Sequence, residues 1–448
     1  MMDVSRRSFI KGAVATAAVA GLTPEAYAMR WFGGTPKRVP KDRKMNIVCV
    51  GCAGKGESDI HGAVHSGANV IGLCDVDHVR IGGVVNHYPG AKIYKDYRKM
   101  FEDLGDQFDG VTISTPDHMH FPIAMLAMQM GKHIYVQKPC AHTIEEARLM
   151  QMAAAKYGVS TQMGNQGHAS DFTRMIYAWI RNGDIGNVRE VHLYSDRPIW
   201  AQKTPWPAAA PVPSSLDWNL WLGTAPYRPY PKGGMHFKWR GYWDFGCGAI
   251  GDMGCHIMDA AFWALDLRDP MWVEAESDAP DGDMTPTWSV VTYFFPANSW
   301  RPPVKLVWFD GKKHKEMPRP AELEEGRNLP HGNGQVFYGS NGNLMAGCYA
   351  ESPRIFPEKR MKKVGKPRNM PPSAPGKNPH TEWVESCKEG GAPCGSNLVD
   401  YAAKLTETAL LGNLAIRSHR RIYWDAKTMT CIGDPEATKY VRTAYRVY

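Results

Sequence analysis

From residue 45 onward, short apolar runs alternate with longer stretches whose apolar residues recur at helical spacing. Residues 46–50 read as a buried strand that ends in a glycine-rich turn and a helical stretch. Residues 69–74 form a second strand, 91–94 a short third, 109–114 a fourth and 133–136 a fifth. A helix rich in Ala and Met, 121–130, lies between the last two. Another helix, 143–157, opens on Thr143 with Glu146 three residues on, the pattern in which each end caps the other's free amide. A sixth strand, 159–163, closes the series. Strands alternating with helices of this length predict βαβ units and a parallel sheet.

After residue 164 the texture changes. Residues 188–194 read as a strand. The stretch 200–243 carries six Trp in 44 residues, with many Pro and no periodicity. A helix is expected over 249–266. The segments 289–295, 304–309, 335–340 and 344–349 alternate as half-buried antiparallel strands do. A long amphipathic helix over 397–417 and a last strand over 421–424 follow. The expected organisation is a leader at 1–28, a polar linker at 29–44, a nucleotide-binding domain at 45–164 and a mixed α/β domain at 165–448.

Composition adds exclusions. With 448 residues, 43% hydrophobic and 22% charged, the chain is neither disordered nor fibrous. The longest apolar run, residues 13–22, is too short for a membrane span of about 20 residues, so no stable membrane insertion is expected. The formal charge of +8 invites a nucleic-acid reading, but its location speaks against one. Residues 351–380, a Pro-rich loop, hold eight Lys/Arg against two acids, whereas everything outside that loop and the first 28 residues nets +1. A solvated loop accounts for this better than a nucleic-acid face.

The first residues read as an address. Ser5-Arg6-Arg7-Ser8-Phe9-Ile10-Lys11, a weakly apolar stretch and then Ala26-Tyr27-Ala28 have the order of a twin-arginine signal and its cleavage site. That route exports folded proteins, so a periplasmic protein that takes its cofactor before export is expected. Ten Cys show no framework spacing; Cys387 and Cys394, flanking a Gly-Gly turn, are the pair open to a disulfide.

Several residues carry chemistry. Gly51, Cys52, Ala53, Gly54, Lys55 and Gly56 form a turn between strand and helix, where a pyrophosphate can approach the helix N-terminus. Asp75 ends the second strand, where a carboxylate accepts from the adenosine ribose and repels a 2′-phosphate; the cofactor expected is NAD. Thr115-Pro116-Asp117-His118-Met119-His120 follows the fourth strand, and Gln137-Lys138-Pro139 the fifth. Lys138 thus lies at the sheet edge where ligands bind in such folds. Asp252 and His256, four apart on an expected helix, share a face as an acid/base pair. Asn165 and His168 follow the sixth strand and can line the nicotinamide end, or simply form a loop between domains. His236, Trp239, Arg240, Tyr242 and Trp243 form a polar–aromatic cluster suited to sugar rings and hydroxyls, although most Trp pack in cores. His61/His65 and His118/His120 lack further ligands, so no metal site is expected.

In these motifs, and in their order, the chain resembles the Gfo/Idh/MocA family of glucose-fructose oxidoreductase, inositol dehydrogenase and relatives. The resemblance rests on Gly51–Gly56, Asp75, Thr115-Pro116…His120, Lys138-Pro139 and Asp252-x-x-x-His256. It implies a Rossmann domain, a second α/β domain with a large, mostly antiparallel sheet, and substrate held between nicotinamide and that sheet. It further implies acid/base roles for Lys138 and His256 and a substrate-binding or orienting role for Asp252. Gln137 departs from the Glu usual in the family. The activity implied is NAD-dependent oxidation of a sugar or polyol hydroxyl with a tightly bound cofactor. The alternatives are a glycosidase that oxidises its substrate transiently, eliminates and rehydrates, and a non-catalytic sugar-binding protein. Because relatives pair their sheets between subunits, a homodimer or homotetramer is expected.

Overall fold

The computed structural model describes residues 36–200, 205–278 and 282–448. The leader, and the linker as far as residue 35, lie outside the described residues.

Six strands, β1 (Met45–Val50), β2 (Ala68–Cys74), β3 (Lys92–Tyr94), β4 (Gly110–Ile113), β5 (His133–Val136) and β6 (Thr161–Met163), pair in parallel in the order β3-β2-β1-β4-β5-β6. β4 and β5 are buried at every residue, which is why they carry no exposed polar face. Helices α1 (Lys55–His65), α2 (Tyr97–Leu104), α3 (His120–Gln129) and α4 (Ile144–Tyr157) cover the faces. α4 has the full capping box: Thr143 accepts from the Glu146 amide, and the Glu146 carboxylate accepts from the Thr143 amide. It ends at Gly158, in the left-handed conformation (φ 62°) that glycine adopts without strain.

The second sheet has nine strands, in the order β13-β12-β11-β7-β10-β9-β8-β14-β15. They are β7 (Val188–Tyr194), β8 (Trp272–Ser277), β9 (Ser289–Phe295), β10 (Val304–Phe309), β11 (Gly334–Gly339), β12 (Gly342–Gly347), β13 (Arg354–Phe356), β14 (Ile422–Asp425) and β15 (Thr430–Cys431). Every pairing is antiparallel except β7 with β10. β9 alternates buried and half-buried residues, so one face of the sheet packs on the core.

Three more helices tie the layers together: α5 (Asp171–Arg181), α6 (Pro379–Cys387) and α7 (Ala403–Ser418). The segment expected to be amphipathic, α7, is instead buried nearly all round, between α4 and the second sheet. A side chain on its Gly412 would strike the Tyr293 hydroxyl, so glycine is what allows the close approach. α6 returns to the first sheet, where Trp383 and Val384 join Met45 and Ile47 in one core. Val39, inside the stretch read as linker, is buried, and its amide donates to the Cys387 carbonyl at 3.0 Å.

Three other differences have local causes. The expected helix over 249–266 opens into a π turn at Ile250–Gly254 before Cys255–Ile257 and Asp259–Ala264. A short helix, Glu358–Val364, lies within the basic Pro-rich loop; it buries none of its residues, so no apolar period announced it. Cys387 and Cys394 are buried free thiols, Cys394 donating to the Ser386 hydroxyl at 3.2 Å.

Candidate active site

A cleft of about 270 Å³ runs over the carboxyl ends of the parallel strands, where ligands of such sheets bind. Its floor is the turn after β1. Gly51 (φ 78°) leaves no room for a side chain: a Cβ there would lie 2.7 Å from the Ser114 backbone, and one on Gly56 would collide with the Gly51 carbonyl. The turn thus presents a bare backbone to an approaching phosphate. Gly51, Ala53, Gly54 and Lys55 line the cleft. Cys52 turns inward to the Cys49 and Cys74 carbonyls, and Gly56 packs beneath the turn.

Asp75 lies in the cleft with its carboxylate oriented by two amides, Cys52 N at 2.9 Å and Asp77 N at 3.0 Å. Burial pushes its carboxyl upward against those two bonds. Arg80 and Lys95 border the same end, a pair no sequence motif signalled. This glycine cradle and fixed carboxylate suit an adenine dinucleotide with a free ribose 2′-hydroxyl. Asp75→Ser is expected to narrow the preference for NAD over NADP, since Arg80 then meets no competing carboxylate. Titration of both nucleotides checks this; a wild type that prefers NADP would overturn the placement.

Thr115, Pro116, His120, Gln137 and Lys138 line the other end. His120 is bracketed by the Pro139 and Thr115 carbonyls at 2.8 and 2.9 Å. Gln137 donates through Nε2 to buried Asp59 at 2.8 Å. Asp59 also pairs with Lys55, accepts from Ser114 Oγ at 2.8 Å and lies 3.0 Å from His380 Nε2. Burial opposes its charge, but His380 and Lys55 hold its carboxyl below the usual range. Because a carboxylate can only accept, Gln137 must turn its nitrogen inward, and its oxygen is left for the cleft.

Asp252 is the centre of charge. Lys138 Nζ donates to its carbonyl at 2.7 Å and to Oδ1 at 3.1 Å; Arg240 Nε donates to Oδ1 at 3.2 Å, and Arg197 Nε lies 3.5 Å from Oδ2. Burial opposes ionisation, yet Lys138 and Arg240 outweigh it and hold Asp252 well below the usual carboxylate range. The π turn sets this up by bringing the Asp252 carbonyl and carboxylate to one ammonium. His256 is buried, with Nδ1 unbonded among the described residues, and it meets Tyr349 edge-on at 4.9 Å. Burial and the nearby Lys138 charge push its imidazole far down, so it is neutral.

His236 and Trp239 also line the cleft with Arg240. His236 lies 3.1 Å from the Asp77 carboxylate, and the Arg240 guanidinium stacks 4.3 Å over Trp239. The structure does not bring Asn165, His168 or Trp243 there, and His256 lies buried beside Asp252 rather than among the residues lining the cleft. Asn165 and His168 each meet Asp259 Oδ1 at 2.9 Å inside the protein. Trp243 faces a separate cavity. Sequence reasoning passed over Asp117, which borders the cleft and accepts from the Cys247 amide at 3.0 Å. Burial pushes its carboxyl up to about 7 against the pull of Lys138 and Arg240. Arg197, an isolated residue after β7, carried no signal at all.

A dinucleotide cradle on a parallel sheet, with a lysine–carboxylate pair at its far end, defines an NAD-binding oxidoreductase fold. Comparison with known proteins makes the class specific. Residues 45–165 match the Gfo/Idh/MocA oxidoreductase NAD-binding Rossmann fold, and residues 186–300 match that family's C-terminal alpha/beta domain. The chain belongs to the Gfo/Idh/MocA oxidoreductase family. Residues 3–23 match a twin-arginine translocation signal, which marks the chain for export. Among curated proteins, the chain is 37% identical over 164 residues to Glycosyl hydrolase family 109 protein 2 of Shewanella sp. (strain ANA-3), a match covering 33% of this chain and 36% of that one. A Glycosyl hydrolase family 109 protein of Shewanella baltica (strain OS155 / ATCC BAA-1091) is 28% identical over 208 residues, covering 42% and 45%. The chain thus spans less than half the length of these curated relatives. Among solved structures, the WlbA dehydrogenase from Bordetella pertussis in complex with NADH and UDP-GlcNAcA aligns with TM-score 0.58 at 18% identity, over 86% of this chain and 99% of that one. The aldose-aldose oxidoreductase from Caulobacter crescentus complexed with glycerol aligns with TM-score 0.58 at 16% identity, over 85% and 100%. Both likenesses show the fold. Among the described residues no helix is long and apolar enough to cross a membrane.

Proposed function

We propose that this protein is an exported, NAD-dependent oxidoreductase that acts on a hydroxyl of a sugar or polyol while keeping its cofactor bound. The observation that supports it most is the Lys138–Asp252–Arg240 cluster at the end of the dinucleotide cradle. NAD, when bound, supplies a hydride acceptor. The turn at residues 51–56 and Asp75 would hold it. Lys138 and Arg240 keep positive charge beside Asp252, where a substrate oxygen gains negative charge as it loses its proton. We assign the proton transfer to Lys138 together with His256, whose Nδ1 is unbonded among the described residues, and Asp252 orients both cations. Trp239 offers a flat apolar face to a sugar ring.

The match to family 109 glycosyl hydrolases favours a second reading, cleavage of a glycoside with no net redox change, on the same residues. Export supports both readings. The periplasm, the compartment we assign to it, holds little free NAD, so a cofactor held from folding onward fits better than one exchanged at each turnover. Protein purified without added nucleotide is expected to carry NAD(H), released on denaturation and seen by absorbance. Incubation with aryl glycosides and no added NAD separates the two: released aglycone means the glycosidase, and inert glycosides with oxidation of free sugars mean the oxidoreductase. Protein that purifies empty and reduces added NAD stoichiometrically would refute retention.

We further assign a homodimer or homotetramer. The outer face of the second sheet carries half-buried Trp272 and Phe294, stacked 5.3 Å apart, and Tyr423 is 46% exposed on β14. Sheet pairing between copies would cover these groups. Light scattering at micromolar concentration is expected to give twice or four times the chain mass, and a monomer would overturn the assignment.

A further inference from the structure

Behind the wall of the cleft lies a second cavity of about 310 Å³. It is bounded by the start of α4, one side of α7, the loop that carries Trp243, and the segment 439–445. Arg417 of α7 reaches into it, with its guanidinium held between two rings: 5.2 Å from the centre of Trp243 and 4.1 Å from that of Tyr440. Among the described residues the guanidinium makes no hydrogen bond and no ion pair.

The carboxylates nearby do not neutralise it. Glu146 is taken by the Tyr445 hydroxyl and by the His142 and Thr143 amides, the latter two at 2.9 Å. Asp244 pairs with Arg228 at 2.6 Å. Lys439 and Arg442, both largely exposed at the rim, are paired with Glu436 and Glu145, so among the described residues Arg417 is the cation of the cavity that no carboxylate meets. A guanidinium sandwiched between rings and left without an anion carries a desolvation cost that a bound anion would offset. Its planar fork matches a carboxylate in two-point geometry. Asn413 narrows the ligand further. Its Nδ2 donates to the Cys247 carbonyl at 2.9 Å, which leaves Oδ1 as an acceptor in the same cavity. Trp243 here serves as a wall of the Arg417 sandwich rather than as a surface for the substrate of the cleft.

We propose that this cavity is a second ligand site, separate from the dinucleotide cleft, that takes a small hydroxylated carboxylate of the sugar-acid type. The carboxylate meets Arg417, and a ligand hydroxyl donates to Asn413. The inference is independent of which reaction the cleft performs.

Isothermal titration of the purified protein with gluconate, acetate and inorganic phosphate tests it. Gluconate is expected to bind more tightly than acetate, because only gluconate offers a hydroxyl to Asn413. Arg417→Met, which fills a similar volume between the rings, is expected to weaken gluconate at least tenfold and to leave NAD binding unchanged. Arg417→Lys, which keeps the charge and loses the fork, should fall between wild type and Arg417→Met and guards against a folding defect in the methionine variant. Arg240→Met, in the cleft, should leave gluconate binding as in wild type. The proposal is overturned if gluconate gives no heat with wild type, if it binds Arg417→Met equally well, or if Arg240→Met abolishes its binding. Phosphate binding as tightly as gluconate would equally remove the carboxylate assignment.

Discussion

Lys138→Ala is expected to lower turnover by about 10²–10⁴-fold, the usual cost of losing one acid/base or charge-stabilising group, while NAD stays bound. The reasoning is local. Lys138 sits at the far end of the cleft from Asp75, so the nucleotide cradle is untouched. What is lost is the ammonium that donates to Asp252 at 2.7 and 3.1 Å. Asp252 would still face Arg240, so the site keeps a cation but loses the one that bonds both the carbonyl and the carboxylate of Asp252. His256→Ala is expected to fall in the same range. Steady-state rates beside a nucleotide titration measure both effects. Unchanged turnover in both variants would remove Lys138 and His256 from the reaction. Absence of any turnover in the wild type would return the protein to the sugar-binding reading, and lost NAD binding in either variant would mean a collapsed fold rather than a lost catalytic group.

Asp59→Ala is expected to cost roughly 3–5 kcal/mol of stability, the range for removing one partner of a buried charge cluster. Lys55, Ser114, Gln137 and His380 all converge on that carboxylate, and removing it strands donors from α1, from just after β4 and β5, and from α6 together. Gln137→Glu would set a second carboxylate against Asp59 and is expected to be nearly as costly. Combining it with Asp59→Asn restores one acceptor and one donor across the same 2.8 Å contact, so the double variant should recover most of the loss. Urea unfolding of the four proteins reads this directly. A double variant no more stable than Gln137→Glu alone would show that the pairing is not what matters. In this chain the side chain at 137 thus donates to a carboxylate of α1.

Much of this was legible in the chain itself. The parallel sheet was readable because its central strands β1, β4 and β5 are buried on both faces and mostly apolar, and because helices of similar length alternate with the strands. The turn at 51–56 and Asp75 were readable because phosphate and ribose contacts demand glycine and a carboxylate at fixed points along a βα unit. Lys138, Asp252 and His256 were readable as residue types in a family order. Each of these signals is local, or rests on spacing within one unit.

What the sequence could not decide depends on contacts across hundreds of residues. Asn165 and His168 sit in a loop like many others, and only the folded chain turns them to Asp259 rather than to the cleft. Trp243 lies four residues from Trp239, yet faces a different cavity. Only the folded chain shows the π turn at Ile250–Gly254 in place of a regular helix, and Lys138, from another domain, meeting both the carbonyl and the carboxylate of Asp252 there. Arg197 joins that carboxylate from the end of β7. His380 reaches Asp59 across 321 positions of sequence. Periodicity and motif spacing record what one segment does with its own neighbours. The destination of a side chain that leaves its own segment is set by packing between layers, and that information exists only once the two sheets, α6 and α7 have come together.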